Sequence, residues 1–162
     1  MSITLITSKG GIKIELECEK VPVNTKNFLA LCASGYYDNT IFHRNIPGFI
    51  IQGGDPSGKG RGGVSSTGNP IEDEIDPTLL HSKRGIVSMA NSGPNTNQSQ
   101  FFITYGKQKH LDQSYTIIGR VIDGFDALEL LEREPRDSSD KPLNECKIFK
   151  VQIHANPIAD IE

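Results

Sequence analysis

The residues best equipped for chemistry lie in one stretch, Phe42-His43-Arg44-Asn45-Ile46-Pro47-Gly48-Phe49-Ile50-Ile51-Gln52-Gly53-Gly54-Asp55. Read as strands around the Pro47-Gly48 turn, it sets Phe42, Arg44 and Ile46 on one face and Ile50 and Gln52 on another. An arginine among aromatic and aliphatic neighbours has two readings. It is either a guanidinium held over a rim by a carboxylate, or a charged fork beside an apolar pocket, positioned to meet a ligand carbonyl. Other constellations carry less. Gly58-Lys59-Gly60-Arg61-Gly62-Gly63 fits G-x-G-x-x-G. A pyrophosphate site needs those glycines to open a helix, and Val64-Ser65-Ser66-Thr67-Gly68-Asn69-Pro70 will not form one, so a flexible loop is expected. His43, His81, His110 and His154 contain no close pair at metal-ligand spacing, and no metal is expected. There is no G-x-S-x-G nucleophile elbow, and Glu72, Asp73 and Glu74 read as a solvated turn.

The elements that must position these residues are mostly strands. Ile12, Ile14 and Leu16 alternate with Lys13, Glu15 and Glu17, and with Ile3–Thr7 they predict an opening β-hairpin. A helix is predicted from Val21 to Ser34, with Pro22 in its first turn, Thr25, Phe28, Leu29 and Cys32 on one face, and Gly35 as its stop. A second helix is predicted from Gly124 to Glu134, capped by Asp123 and ended by Pro135. Further strands are predicted at Ile41–Ile46, Phe49–Gln52, Ile86–Met89, Phe101–Thr104, Tyr115–Ile122 and Cys146–His154. Two helices cannot cover so many strands as layers. The expectation is therefore a mainly β fold, a closed eight-stranded antiparallel barrel capped by two α-helices, in one domain over residues 1–162. The long loops at 55–70 and 90–99 are expected to be functional.

Bulk properties narrow the function. With 17 basic and 20 acidic residues the net charge is −3, and no basic stripe supports direct nucleic-acid binding. No apolar run approaches a membrane span, and no basic start leads into an apolar signal segment. Cys18, Cys32 and Cys146 are widely spaced in apolar segments and read as buried thiols of a reducing compartment. An intracellular location, cytoplasmic or nuclear, is expected. Asn97-Gln98-Ser99 matches a glycosylation acceptor only by chance in that setting.

Two of the stretches resemble the signatures of a known family. Phe42-His43-Arg44-x-Ile46-Pro47-Gly48-Phe49-x-x-Gln52-Gly53-Gly54-Asp55 is similar to the first signature of the cyclophilins, which are peptidyl-prolyl cis–trans isomerases. Ser88-Met89-Ala90-Asn91, Gly93-Pro94-Asn95-Thr96-Asn97 and Ser99-Gln100-Phe101-Phe102-Ile103 resemble the second. The likeness runs to His154, and Tyr105-Gly106-Lys107-Gln108-x-His110-Leu111-Asp112 is most like the short cyclophilin J group. The resemblance implies Arg44 as the catalytic residue and proline-containing peptide segments as substrate, with no cofactor. It implies Phe49, Ile50, Phe102 and Leu111 around the proline ring, Gln52 and the Asn91 backbone on the peptide main chain, Gln100 along the groove, and Gly60, Ala90 and Ser92 at the rim.

Three positions depart from the family pattern. His110 stands where many members carry tryptophan, Tyr115 where many carry histidine, and Ile50 where methionine is usual. The missing indole N–H implies weak binding of cyclosporin-type ligands. The resemblance also leaves a second reading open: a proline-binding adaptor docked on spliceosomal proteins, with incidental activity.

Overall fold

Ser2–Thr7 (β1) and Gly10–Leu16 (β2) form the expected hairpin, with Ile3, Leu5, Ile12, Ile14 and Leu16 buried and the intervening positions part-exposed. The computed structural model describes residues 1–154, so the end of the expected 1–162 domain lies outside the described residues. The other strands are Thr40–Ile41 (β3), Arg44–Ile46 (β4), Ile50–Gly53 (β5), Ile86–Met89 (β6), Phe101–Thr104 (β7), Ile117–Asp123 (β8) and Lys147–His154 (β9). Two helices, Pro22–Ala33 (α1) and Phe125–Arg133 (α2), accompany them. All strands join one antiparallel sheet in the order β3-β9-β1-β2-β8-β6-β7-β5-β4.

This is a curled nine-stranded sheet and not the closed eight-stranded barrel expected. The difference arises at Ile41–Ile46, which is two edge strands instead of one. Between them the Phe42 N–H is given to the Cys146 carbonyl, and Asn45 donates to the Asp140 carbonyl. The two edges therefore direct their hydrogen bonds to other segments and not to each other. The break also overturns the expected faces. Phe42 turns into the core, packing edge-on to Phe101, while Arg44 is exposed. Antiparallel pairing then sets Arg44 opposite Gln52 and Ile46 opposite Ile50, so these four share one face.

The core lies between the inner sheet face and the helices. Phe28 and Leu31 of α1, and Ala127, Leu128 and Leu131 of α2, close on the hairpin residues and on Val87, Met89, Phe101 and Ile103. Phe28, Tyr37 and Phe101 form an aromatic knot with centroids 5.3–5.4 Å apart. The Tyr37 hydroxyl donates to the Ser99 carbonyl at 2.7 Å, which satisfies its buried polar end. The buried face of α1 is more polar than its apolar spacing implied. Asn24 and Asn27 are buried and Leu29 only half so. Asn27 donates to the Gln98 carbonyl and accepts from Ser66 N–H, pinning both long loops to the helix.

The start of α1 falls as expected, with Pro22 in its first turn, whereas the cap of α2 does not. No side chain at the α1 N-cap serves it; the Glu74 carboxylate accepts from the Val23 and Asn24 N–H groups at 3.3 and 2.7 Å. Glu74 is thus part of the fold and not of a solvated turn, because exposed N–H groups at a helix start favour an anion. In α2 the N-cap is Gly124 in the left-handed region, not Asp123, whose carboxylate instead accepts from the Gly124 N–H. Cys32 and Cys146 are buried and Cys18 is intermediate, all as free thiols.

Candidate functional site

Sheet register builds the site. Arg44 pairs with Gln52, Gln52 with Phe102, and Phe102 with Ser88, so one row crosses β4, β5, β7 and β6 on the outer face. Asn45 anchors that row at the edge. Its amide donates to the Leu131 carbonyl at 2.8 Å and accepts from the Tyr105 hydroxyl at 2.6 Å, which fixes β4 against α2 and leaves Arg44 facing out. The Arg44 guanidinium lies 5.9 Å from the Phe49 ring centroid and makes a long 3.5 Å contact to Gln52 Oε1. It has no carboxylate within ion-pair reach among the described residues. The rim-held reading of this arginine therefore fails, and most of its donors remain open to a ligand.

Beside Arg44 is an apolar seat. Ile50, Phe102 and Leu111 pack together, with Phe49, Ala90 and Tyr115 against them. Tyr115 meets Phe102 edge-on at 5.4 Å, and His110 stacks on Phe49 at 5.6 Å and 27°. On the far side of Gln52 lies a polar groove of about 160 Å³ that includes Gly60, Ala90, Asn91, Ser92 and Gln100. A directed chain crosses it: Gln52 Nε2 donates to Gln100 Oε1, and Gln100 Nε2 donates to the Gly62 carbonyl, each at 2.9 Å. The Asn91 side chain is tied to the Ser114 carbonyl at 3.0 Å. Arg44, Phe49, Ile50, Gln52, Gly60, Ala90, Asn91, Ser92, Gln100, Phe102, His110, Leu111 and Tyr115 thus line these two regions or touch them.

Two supports were not foreseen. The first is Asp55, fully buried, whose carboxylate accepts from Ser57 N–H and Oγ, Gly60 N–H and Gly62 N–H at 2.7–3.1 Å. Burial alone would raise its pKa, but the hydrogen bonds from Gly62, Ser57 and Gly60 outweigh burial and hold it below the ordinary value. The glycine-rich loop is therefore a cradle for a carboxylate of its own chain. Gly60 has φ +86°, and a Cβ there would meet the His43 ring at 3.0 Å, so glycine is required on two counts. The signal was present in the sequence as Asp55 directly upstream of closely spaced glycines.

The second is His81, fully buried and stacked beneath Phe102 at 6.0 Å and 19°. Its Nδ1 lies 2.9 Å from Asp112 Oδ1 and its Nε2 lies 2.7 Å from Ser88 Oγ. The Asp112 carboxylate also accepts the His81 N–H at 2.7 Å, which ties the segment carrying Leu111 to the strand side. Burial lowers the His81 pKa more than Asp112 raises it. Serine, histidine and aspartate in a chain suggest a nucleophile, but Ser88 is sealed from solvent and cannot reach a bound chain. Nothing in the sequence spacing of 81, 88 and 112 announces this contact. Among the described residues no group of three or more His, Cys, Asp or Glu could hold a metal ion.

Comparison with known proteins gives concordant likenesses. The sequence model of the family described as "Cyclophilin type peptidyl-prolyl cis-trans isomerase/CLD" matches residues 2–153. The chain is 59% identical over 159 residues to peptidyl-prolyl cis-trans isomerase CYP18-1 of Arabidopsis thaliana, covering 98% of this chain and 99% of that one. It is 58% identical over 160 residues to peptidyl-prolyl cis-trans isomerase-like 3 of Homo sapiens, with the same coverage. A crystal structure of a Cryptosporidium parvum cyclophilin-type isomerase, determined in the presence of the dipeptide Ala-Pro, superposes with a TM-score of 0.94 at 53% identity. That match covers 96% of this chain and 100% of the other.

Proposed function

The chain belongs to the cyclophilin-type peptidyl-prolyl cis-trans isomerases, and from that membership we propose how its site catalyses rotation about X–Pro bonds in peptide segments. The observation that carries the proposal is the register row in which Arg44, Gln52 and Phe102 stand side by side on one face. The family match over residues 2–153 supports a single isomerase domain.

Resonance holds the X–Pro amide planar against a barrier of ~18–20 kcal/mol. On twisting, the prolyl nitrogen becomes pyramidal and gains a lone pair that the planar amide lacks. The proline ring sits on Ile50, Phe102 and Leu111, beside Phe49 and Tyr115. From there the Arg44 guanidinium donates to that nitrogen. A donor engaged only by the twisted form lowers the barrier without tightening the ground state. Gln52 and the Asn91 backbone hold the peptide main chain, and Gln100, fixed by the Gly62 carbonyl, lines the groove. Gly60, Ala90 and Ser92 keep the rim low enough for a chain to enter.

The test is exchange spectroscopy by NMR on an Ala-Pro peptide. Wild type is expected to give cis–trans exchange that Arg44→Ala reduces about 10²–10³-fold, the usual loss when one preorganised donor is removed. Equal exchange in the two proteins would remove Arg44 from the mechanism.

A further inference from the structure

Beside Arg44, sharing Gln52 and Gly60 with the polar groove, lies a second cavity of about 470 Å³, lined chiefly by His43, Arg44, Lys59 and Lys141. Its cations come from three separately anchored segments. Arg44 is on β4. Lys59 lies between Gly58, whose N–H is given to the Asp55 carbonyl, and Gly60, whose N–H is given to the Asp55 carboxylate. Lys141 sits on the turn in which the Asp137 N–H is given to the Lys141 carbonyl and the Lys141 N–H to the Asp137 carboxylate, and the Asp140 carbonyl hooks that turn to Asn45 of β4. Asp140 holds φ +64°, an unusual conformation for a residue with a side chain, which fixes the turn's shape.

The nearby carboxylates are all engaged locally. Asp55 is wrapped by Ser57, Gly60 and Gly62; Asp137 accepts from the Ser139 and Lys141 N–H groups; Asp140 pairs with Arg136 at 3.1 Å. Among the described residues neither Lys59, Lys141 nor Arg44 has an acidic partner. Three uncompensated cations therefore border one concavity in a chain whose net charge is −3. The field of Arg44 and Lys141 reaches His43, which also lines the cavity. Burial depresses the His43 pKa first, Asp55 opposes this, and Arg44 and Lys141 depress it further. The His43 Nδ1 is buried without a hydrogen-bond partner among the described residues.

We propose that this cavity is an anion subsite that receives a negatively charged side chain, a carboxylate or a phosphate ester, on the residues flanking the isomerised proline. The proposal rests on the isomerase reading of the adjoining site, because the cavity shares Arg44, Gln52 and Gly60 with it. A side chain held between Lys59 and Lys141 draws the peptide toward Arg44 without occupying the apolar seat. The chain thereby selects acidic or phosphorylated X–Pro segments over neutral ones.

The test uses the full chain and Ala-Pro peptides that carry Gln, Glu or phosphoserine in turn at each of the two residues on either side of the proline. NMR titration reads affinity, and exchange spectroscopy reads isomerisation separately. At one flanking position Glu is expected to bind about fivefold tighter than Gln at low salt, the effect of one favourable exposed ion pair. Phosphoserine is expected to bind tighter than Glu at pH 7.5 and to approach it at pH 5.5, where it loses its second charge. The Glu advantage is expected to shrink in 0.5 M salt and to vanish in the Lys59→Gln/Lys141→Gln double variant. Bound Glu peptide, unlike Gln peptide, should raise the titration midpoint of His43. Equal affinities for all three peptides at every position in low salt would overturn the subsite, and so would an advantage that survives the double variant. If no peptide exchanges faster with protein present, the isomerase reading fails, while the Glu-to-Gln affinity ratio still decides the subsite.

Discussion

His110 lies nearly parallel to Phe49 at the mouth of the apolar seat and is exposed. An imidazole there offers less area than an indole and, in its neutral form, only one N–H. We expect cyclosporin-type macrocycles to bind weakly to this chain and His110→Trp to tighten them roughly tenfold, the scale of one recovered hydrogen bond. Fluorescence titration of both proteins with cyclosporin checks this, and unchanged affinity in the variant would place the cause elsewhere in the pocket, at Tyr115 or Ile50. Single residues of this site were legible where their neighbours in sequence are also their neighbours in space. Arg44, Phe49, Ile50 and Gln52 lie on one hairpin, so a short motif carries them together. Asp55 and His81 were not legible as supports. Both act through burial and through partners far along the chain, His81 meeting Asp112 31 positions away.

Among elements, the loop after β5 shows how a charge can shape backbone. The Asp55 carboxylate replaces water for three backbone N–H groups and one hydroxyl, and so sets the path that carries Gly60, the Gly62 carbonyl and Lys59. Truncation by Asp55→Ala leaves those donors without their acceptor, at a cost of about 2–3 kcal/mol. Urea unfolding should register that loss, with a smaller one for Asp55→Asn, which keeps one acceptor. Because Gln100 donates to the Gly62 carbonyl, peptide affinity should fall in parallel; full affinity in Asp55→Ala would mean that the groove does not depend on the loop. The helices and most strands were legible from periodicity within a turn or so of their bounds. The split of Ile41–Ile46 was not, because its cause is non-local: the Cys146 and Asp140 carbonyls draw Phe42 and Asn45 to opposite ends of the sheet order. A count of strands could predict a curled sheet but not whether its edges pair.

At the scale of the molecule, His81 joins parts that the sequence keeps apart. It bonds Asp112 beside Leu111 and Ser88 on β6, it stacks under Phe102 of β7, and its carbonyl accepts the Gln108 N–H. Asp112 is held below its ordinary value because hydrogen bonds and charge from His81, with Lys109, outweigh its burial. It is therefore an ionised acceptor, and His81 Nδ1 must donate to it. Neutral His81 then accepts the Ser88 hydroxyl at Nε2, so both of its ring nitrogens are paired. Protonation would add a buried charge beneath the platform and turn the Ser88 hydroxyl from donor to acceptor, so that its own hydrogen loses its partner. The folded pKa of His81 thus lies below the unfolded value of about 6.5, and between the two the unfolded chain binds the extra proton. Stability should be full above that unfolded value and fall as pH drops below it, levelling once the folded form also protonates. Asp112, with its depressed pKa, adds its own loss only at lower pH, below about 4. His43, whose pKa burial also lowers, shares the sign of His81 and adds to that slope. Urea midpoints at pH 7.5, 6.5 and 5.5 are therefore expected to decline in wild type. His81→Gln should be less stable at pH 7.5 yet decline less steeply, and an equal slope in both proteins would show that the buried imidazole takes no part in it.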